Sequence, residues 1–550
     1  MYKRLNYEMS QKLDKVIILL LEIFLLIAHY FIPAHFLAIR LLIGIISYIL
    51  IPGYLLVKVL NVDRTFEETL GLSLLFGFSI QILIITLFWG LLIKHVSLVY
   101  VSCCTIIFVL IMLLRYPGKV RLKFWKGSFS SPLFSILFIA VLVRLHYFSA
   151  NVSSFGIDGG LYCDFARTIV SEGRFSSHVI NDYLSYPYFN VKGFTNYPST
   201  VFSIATFFWL GNISHASAKL TMFFTGVLIV FLIYQISSEL FDNETALIAG
   251  FISAVFPLLS YYSSTYHGPE ILSTLYILAS VYFFILGIKG CNHKLRYMSL
   301  SGLFAAMTHG AWAMQAFIPL LATLTLIFLL FKIKDKKLCF YTLFLTNILF
   351  FIYKLSAILF IQLPLVIIPF ICLSILRKMD RNLNYTGITI FIITAILSLQ
   401  LFFVRSYLMP EIYIMPSIRA FMENPTKVAN PLALTFGIHM DLNYILRSFN
   451  RFWQSMATLL TPLLFGSFIA SFFNPIKLRE KIAMFVFPFL SSILLIMALP
   501  DYIIWLGNTF PDRFLISSAS FLIILSAVTI NTLLTAYEKL NFILVSKNES

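Results

Sequence analysis

The loop Gly156-Ile-Asp158-Gly-Gly-Leu-Tyr162-Cys-Asp164-Phe-Ala-Arg167 concentrates the residue types in this sequence that could do chemistry. Asp158 stands just beyond an apolar run and before two glycines, which let backbone approach a ligand closely. A carboxylate beside apolar helices is partly desolvated, which raises its pKa toward a range useful for proton transfer. Tyr162, Ala166 and Ile169 recur at helical spacing. A helix beginning near Asp158 would put Asp158 and Tyr162 on one face. On spacing alone the simpler reading is that Asp158 caps a short interfacial helix. Asp164, six residues on, falls on another face and either orients Arg167 locally or joins the site.

Other candidates are scattered. His267 and Glu270 fall in a short turn before an apolar run, where an ionisable group is costly unless solvated or paired. They could line a cavity, bind an acceptor or hold a divalent metal ion with Asp158. Equally, Glu270 is an acid at a helix start, favoured by the helix dipole. No tight ligand spacing supports a metal, so no cofactor is assigned. His309, in a break between apolar runs, either faces a cavity or is a buried, hydrogen-bonded histidine. None of the six cysteines forms a C-x-x-C pair, so neither a disulfide framework nor a thiolate metal site is expected.

These residues must be positioned by membrane helices. Of the 550 residues, 59% are hydrophobic and only 12% charged, too little polar surface for a soluble domain of this length. The apolar runs reach about 20 residues, enough to cross a bilayer, and in lipid such runs must be helical. The alternating pattern of a β-barrel is absent. The expectation is an all-α polytopic integral membrane protein with about sixteen spans. They fall near 16–33, 37–58, 69–93, 96–114, 132–147, 217–238, 245–260, 270–288, 297–312, 314–331, 338–353, 355–376, 386–404, 454–473, 482–499 and 514–534. The apolar segment 197–212 reads as a helix lying at the interface. The basic N-terminus and first apolar run lack a convincing cleavage site and read as a retained span.

The net charge of +16 sits in short clusters between apolar runs. This suits topology and anionic headgroups, with membrane lipid and no nucleic acid as partner. The clusters 115–126, 289–296, 332–337, 377–381 and 477–481 all fall on one side when the N-terminus is inside. Both termini are then cytoplasmic, and segments near 148–196, 405–453 and 500–513 lie outside, in a plasma membrane protein. Residues 1–114 read as an accessory four-span bundle, 115–131 as a basic cytoplasmic linker and 132–550 as the main module.

At the loop the sequence resembles a superfamily. Asp158-x-x-x-Tyr162-x-x-x-Ala166-Arg167, after a span, is similar to the first external loop of GT-C glycosyltransferases, nearest the protein O-mannosyltransferase and aminoarabinose-transferase type. Further along, Asn196-Tyr-Pro-Ser199 stands where that family tends to have a His-Pro-Pro-like turn. Gly211-Asn-Ile-Ser-His-Ala-Ser-Ala-Lys219 resembles the family's Gly-x-Ser-x-x-x-Ala-Arg start of a span. Phe256-Pro257, Ser260 and Glu270 resemble an outer Pro…Ser…Glu turn. Thr308-His309-Gly310 stands for Thr-Lys-Gly, and Asp512-Arg513-Phe514 resembles an Arg-Tyr-like pair opening a late span. The resemblance is closest over 132–335, and residues 1–114 lie outside it. This chain has Asp158-Gly159 where the mannosyltransferases carry Asp-Glu, so their acceptor class is not carried over. It also lacks the Trp-Trp-Asp motif of the oligosaccharyltransferase branch.

The resemblance implies a GT-C-like transmembrane module with juxtamembrane helices in its first large external loop. Its donor would be a monosaccharide on a polyprenyl or dolichyl phosphate. Its acceptor, a hydroxyl on protein, lipid or glycan, would arrive from the outer face. Asp158 would be the base, with Tyr162, Asp164, Arg167, His267, Glu270 and His309 around the substrates. Arg513 would meet the leaving phosphate, ahead of Arg405, Arg447 and Arg451, although headgroup contact is an equal reading for each arginine. Two other classes compete. A transporter or flippase of lipid-linked solutes should show inverted repeats and polar midplane helices, whereas polar groups here collect in outer loops. A GT-C scaffold without activity is the third, because fold does not fix function.

Overall fold

The structure is a computed structural model that describes residues 2–62, 65–90, 95–116, 131–150, 156–175, 198–265, 268–289, 294–311 and 516–548. Regular structure among them is helical throughout: α1 (Tyr2–Phe31), α2 (Leu37–Gly44), a π-turn (Ile45–Leu50), α3 (Ile51–Leu60), α4 (Phe66–Gly90), α5 (Leu98–Arg115), α6 (Pro132–Ala150), α7 (Gly156–Glu172), α8 (Pro198–Leu210), α9 (His215–Leu240), α10 (Asn243–Val255), α11 (Pro257–Thr265), α12 (Pro269–Lys289), α13 (Lys294–Ala311) and α14 (Ile516–Asn548). The helix ends are written in the sequence. Thr65 Oγ1 accepts from Glu68 N at 3.2 Å to start α4, Ser97 caps α5, and Asp242 Oδ1 caps α10 through Thr245 N at 2.7 Å. Each side chain satisfies an amide that the first helical turn leaves without a partner. Asn61, at φ 52°, ends α3 in the left-handed region, which asparagine tolerates better than most residues.

Among the described residues, seven helices are long and apolar enough to cross a membrane, or eight if the bent pair α10–α11 is one span. The protein is an all-α, multi-pass membrane protein, as its composition leads one to expect. Two of the expected spans differ. The run 16–33 lies in α1, which is outside that set: its last eighteen residues, 14–31, include Asp14, Lys15 and Glu22. The run 297–312 lies in α13, also outside it, because that helix mixes Lys294 and Arg296 with serines, glycines and a histidine, which lower its hydropathy. The expected spans between 314 and 499, the basic clusters within that range and the linker 117–130 fall outside the described residues.

The chain divides into two compact units, Met1–Phe231 with Ser263–Pro269 and Leu232–Tyr262 with Glu270–Ser550. In the first, α3 and α4 meet backbone to backbone. A methyl group on Gly53 would collide with the Ser73 carbonyl, and one on Gly77 with the Ile49 carbonyl. Small residues permit this approach, which is how helices associate in lipid. The π-turn beside it widens the helix, and Gln81 Nε2 donates to the Tyr48 carbonyl within that turn at 2.6 Å. Tyr48 Oη pairs with Ser102 Oγ on α5 at 2.6 Å. Leu20, Phe24, Ile27 and Phe31 on α1 and Ile107, Ile111 and Leu114 on α5 are exposed, as lipid-facing side chains should be.

In the second unit α12 is enclosed along its whole apolar length. Ser280 and Ser301 exchange hydroxyl-to-carbonyl hydrogen bonds at 3.0 and 2.7 Å, joining α12 to α13. Phe304 stacks on Tyr276 and Phe283. Thr274 Oγ1 and Ser517 Oγ lie 2.6 Å apart between α12 and α14. Asn531 Nδ2 donates to Asp242 Oδ1 at 3.2 Å, joining α14 to the cap of α10.

Candidate functional site

The candidate loop folds as α7. The helix starts at Gly156, two residues before Asp158, so Asp158 lies inside the first turn and not at the cap that its spacing suggested. An acid there is favoured by the helix dipole. Gly159 and Gly160 are helical, and among the described residues a Cβ on Gly160 would meet nothing within 4 Å. Tyr162, Phe165, Ala166 and Ile169 are buried and form one stripe at spacings of three and four residues. Asp158 occupies the position one turn before Tyr162 on that stripe; its side chain is outside the description. Gly173, at φ +66°, ends the helix in a conformation that suits glycine.

α7 packs along α8, which begins on Pro198, a residue suited to the first helical position. All thirteen residues of α8 are buried. Its aromatic side chains meet α4 and the end of the α7 segment: Phe202 with Trp89 at 6.1 Å and with Phe175 at 5.8 Å, Phe207 with Phe78 at 6.0 Å. As expected, α8 is apolar but shorter than the helices long enough to cross a membrane. Hydropathy shows that a segment avoids water, and here protein encloses it.

Arg167 Nη2 lies 3.6 Å from Asp164 Oδ1. Both are partly solvated, so the pair contributes little to stability. Burial raises the Asp164 carboxyl above the usual carboxylate range, and Arg167 opposes that shift. Burial, and then the Asp164 charge, push the Cys163 thiol up to about 12, so it is no nucleophile at neutral pH. Cys103, Cys104 and Cys163 are free thiols.

Glu270 and His309 belong to the second compact unit. Glu270 is buried in the first turn of α12, and its carbonyl accepts from Ser273 Oγ and Thr274 Oγ1 at 2.9 and 2.8 Å. His309 lies within the last turn of α13, where a break between spans was expected; its side chain is outside the description. His267 and Arg513 lie outside the described residues, as do Arg405, Arg447 and Arg451. Among the described residues no group of three or more His, Cys, Asp or Glu is placed to hold a metal ion.

Sequence reasoning passed over two cations. Arg144, near the end of α6, is fully buried: Nε donates to Ser263 Oγ at 2.9 Å and Nη1 to the Ala140 carbonyl at 3.1 Å. Lys219, on the first turns of α9, is also buried, with Nζ 5.5 Å from the centre of the Phe148 ring. Gly226 leaves the room that the Arg144–Ser263 pair uses, since a Cβ there would stand 2.8 Å from Arg144 Nε and 2.6 Å from Ser263 Oγ. The available signal was an arginine inside an apolar run, a default pointer to function in membranes.

A multi-pass helical membrane protein with a polar helix in its first long loop is thus defined. Residues 197–359 match the model of the dolichyl-phosphate-mannose-protein mannosyltransferase family, so the resemblance to GT-C glycosyltransferases holds over that stretch, which opens with α8. Two solved structures of the Archaeoglobus fulgidus oligosaccharyltransferase are also similar. The one with zinc and sulfate has TM-score 0.37 and 14% identity, covering 75% of this chain and 50% of that one. The apo form has TM-score 0.38 and 14% identity, covering 78% and 53%. The chain spans about half the length of those proteins. No curated protein matches it.

Proposed function

We propose that this protein is a GT-C type glycosyltransferase that moves a monosaccharide from a polyprenyl or dolichyl phosphate to an acceptor hydroxyl at the outer face of a cell membrane. One observation carries the reading: α7, with Asp158 in its first turn, packs against α8, the opening helix of the segment that matches a mannosyltransferase family. Asp158 takes the acceptor hydroxyl proton as its oxygen bonds to the sugar C1. The bond from C1 to the phosphate oxygen breaks, and its electron pair leaves on the lipid phosphate. Tyr162, Asp164 and Arg167 follow on the same helix and bound the acceptor side, with Glu270, His267 and His309 further candidates for substrate contact. The leaving phosphate needs cationic partners. Arg513 is the candidate from the sequence, and buried Arg144 and Lys219 add two cations in the first unit.

The test uses purified protein in lipid nanodiscs with polyprenyl-phosphate [3H]mannose and a membrane extract as acceptor. The native chain should label the extract, and Asp158→Asn should not, at equal expression and monodispersity. Full transfer by Asp158→Asn removes the assignment.

A further inference from the structure

Residues 1–114 lie outside the family resemblance, yet they hold both loop helices at their C-terminal ends. Such an end leaves backbone carbonyls without helical partners. On α7 the carbonyl involved is that of Gly173, which accepts from Val96 N at 2.6 Å. Val96 belongs to the short connection before α5, and the approach is close enough that a Cβ on Gly173 would stand 2.9 Å from the Val96 carbonyl. On α8 the last residue, Leu210, has its carbonyl 2.9 Å from His29 Nε2. A carbonyl can only accept, so Nε2 carries the proton. His29 is fully buried on α1, and its ring meets the Tyr48 ring edge-on at 5.3 Å. Around the same end, a Cβ on Gly44 would stand 3.0 Å from Leu210 Cδ2, and one on Gly211 would stand 2.9 Å from Leu37 Cδ1 and 3.1 Å from Leu41 Cδ2.

We infer that the N-terminal bundle sets the position of the α7–α8 pair through these two hydrogen bonds, and that His29 is a positioning residue for the transfer reaction. The inference rests on the function proposed above. Helix ends fixed at two carbonyls cannot slide along their axes, and a shift of about 1 Å at a site of group transfer can cost about a hundredfold in rate. A bundle that only anchored the chain would not need a buried imidazole donor at this carbonyl. Its loss leaves a buried acceptor without a partner.

The test compares His29→Leu, which removes the donor, with His29→Gln, whose side-chain amide can reach the same carbonyl. The mannose transfer assay is paired with hydrogen exchange over 198–211. His29→Leu should lower kcat about tenfold while KM for the lipid phosphate stays within about twofold, the pattern of lost alignment rather than lost binding. Exchange at the end of α8 should rise in His29→Leu and return to the native level in His29→Gln, which should also regain most of the rate. Val96→Pro removes the other donor and should raise exchange over 168–174, a second measure if His29→Leu does not fold. Native rate and exchange in His29→Leu and Val96→Pro would overturn the inference, as would equal losses in His29→Leu and His29→Gln. Asp158→Asn separates the two readings: it should lose transfer with native exchange. If Asp158→Asn remains active, the proposed function fails and the exchange comparison alone decides the role of His29.

Discussion

Two acids in the first compact unit receive opposite treatment. Glu22, on α1, is fully buried, and neither of its carboxylate oxygens has a hydrogen-bond donor among the described residues. Asp164, on the loop helix α7, is half-buried and faces Arg167 at 3.6 Å. Nine of the described side chains on α1 are bulky apolar groups exposed to the surroundings, so burial on its inner face means exclusion from water and lipid alike. On α7 Arg167, Ser171 and Glu172 are exposed. The comparison teaches that burial alone does not mark a working acid here. Glu22 is the more deeply buried, whereas Asp164 has the Arg167 guanidinium beside it.

The comparison can be broken or sharpened by substitution. The largest effect should follow Asp158→Asn, which should lower transfer by about 10²- to 10⁴-fold, the usual contribution of a general base, with unchanged thermal unfolding. Gly77→Val comes next. Its side chain would drive into the Ile49 carbonyl and cost about 3 kcal/mol through overpacking, read as a lower unfolding midpoint in detergent. Glu22→Leu should have the opposite sign and raise stability by about 1 kcal/mol or more, because a buried polar group without a partner is costly. A lower midpoint for that variant would mean that Glu22 has a partner in the native state, and the contrast with Asp164 would fail.

The smallest effect is at Asp164. Its carboxyl is raised in the native state, so the native chain holds this proton more tightly than the unfolded chain. The acid therefore costs stability at pH 7, and the cost fades as pH falls through its native pKa toward the unfolded value. Asp164→Asn should remove that pH dependence and shift stability by under about 0.5 kcal/mol, given the solvent around the pair. Melting curves at pH 7 and pH 5 check the sign.

Much of this was legible in residue order. Long apolar runs marked the membrane helices, and Tyr162, Ala166 and Ile169 marked the buried stripe of α7, since 3.6-residue periodicity survives in any solvent. The cap expected at Asp158 was displaced by two residues because Gly156 and Ile157 join the helix, and glycines give weak boundary signals. The enclosure of α8 was illegible because apolar residues look alike whether lipid or protein covers them. Arg144, His29 and Glu22 were passed over for the same reason: each is a single polar residue within a run whose average remains apolar. The partners of Arg144 and His29, Ser263 and the Leu210 carbonyl, are distant in sequence.

The 52° bend between α10 and α11 has a consequence for how this chain sits in bilayers of different thickness. Thirteen residues and nine residues span about 20 and 13 Å at the usual helical rise, so neither arm alone crosses about 30 Å of hydrocarbon. At the joint, Pro257 offers no amide hydrogen. Ser260 Oγ donates to the Ala254 carbonyl across the gap at 3.1 Å, and Ser260 N to the Phe256 carbonyl at 3.0 Å. Ser260 thus gives a donor to two carbonyls at the elbow, and in a thinner or thicker bilayer a change of tilt would fall on this joint.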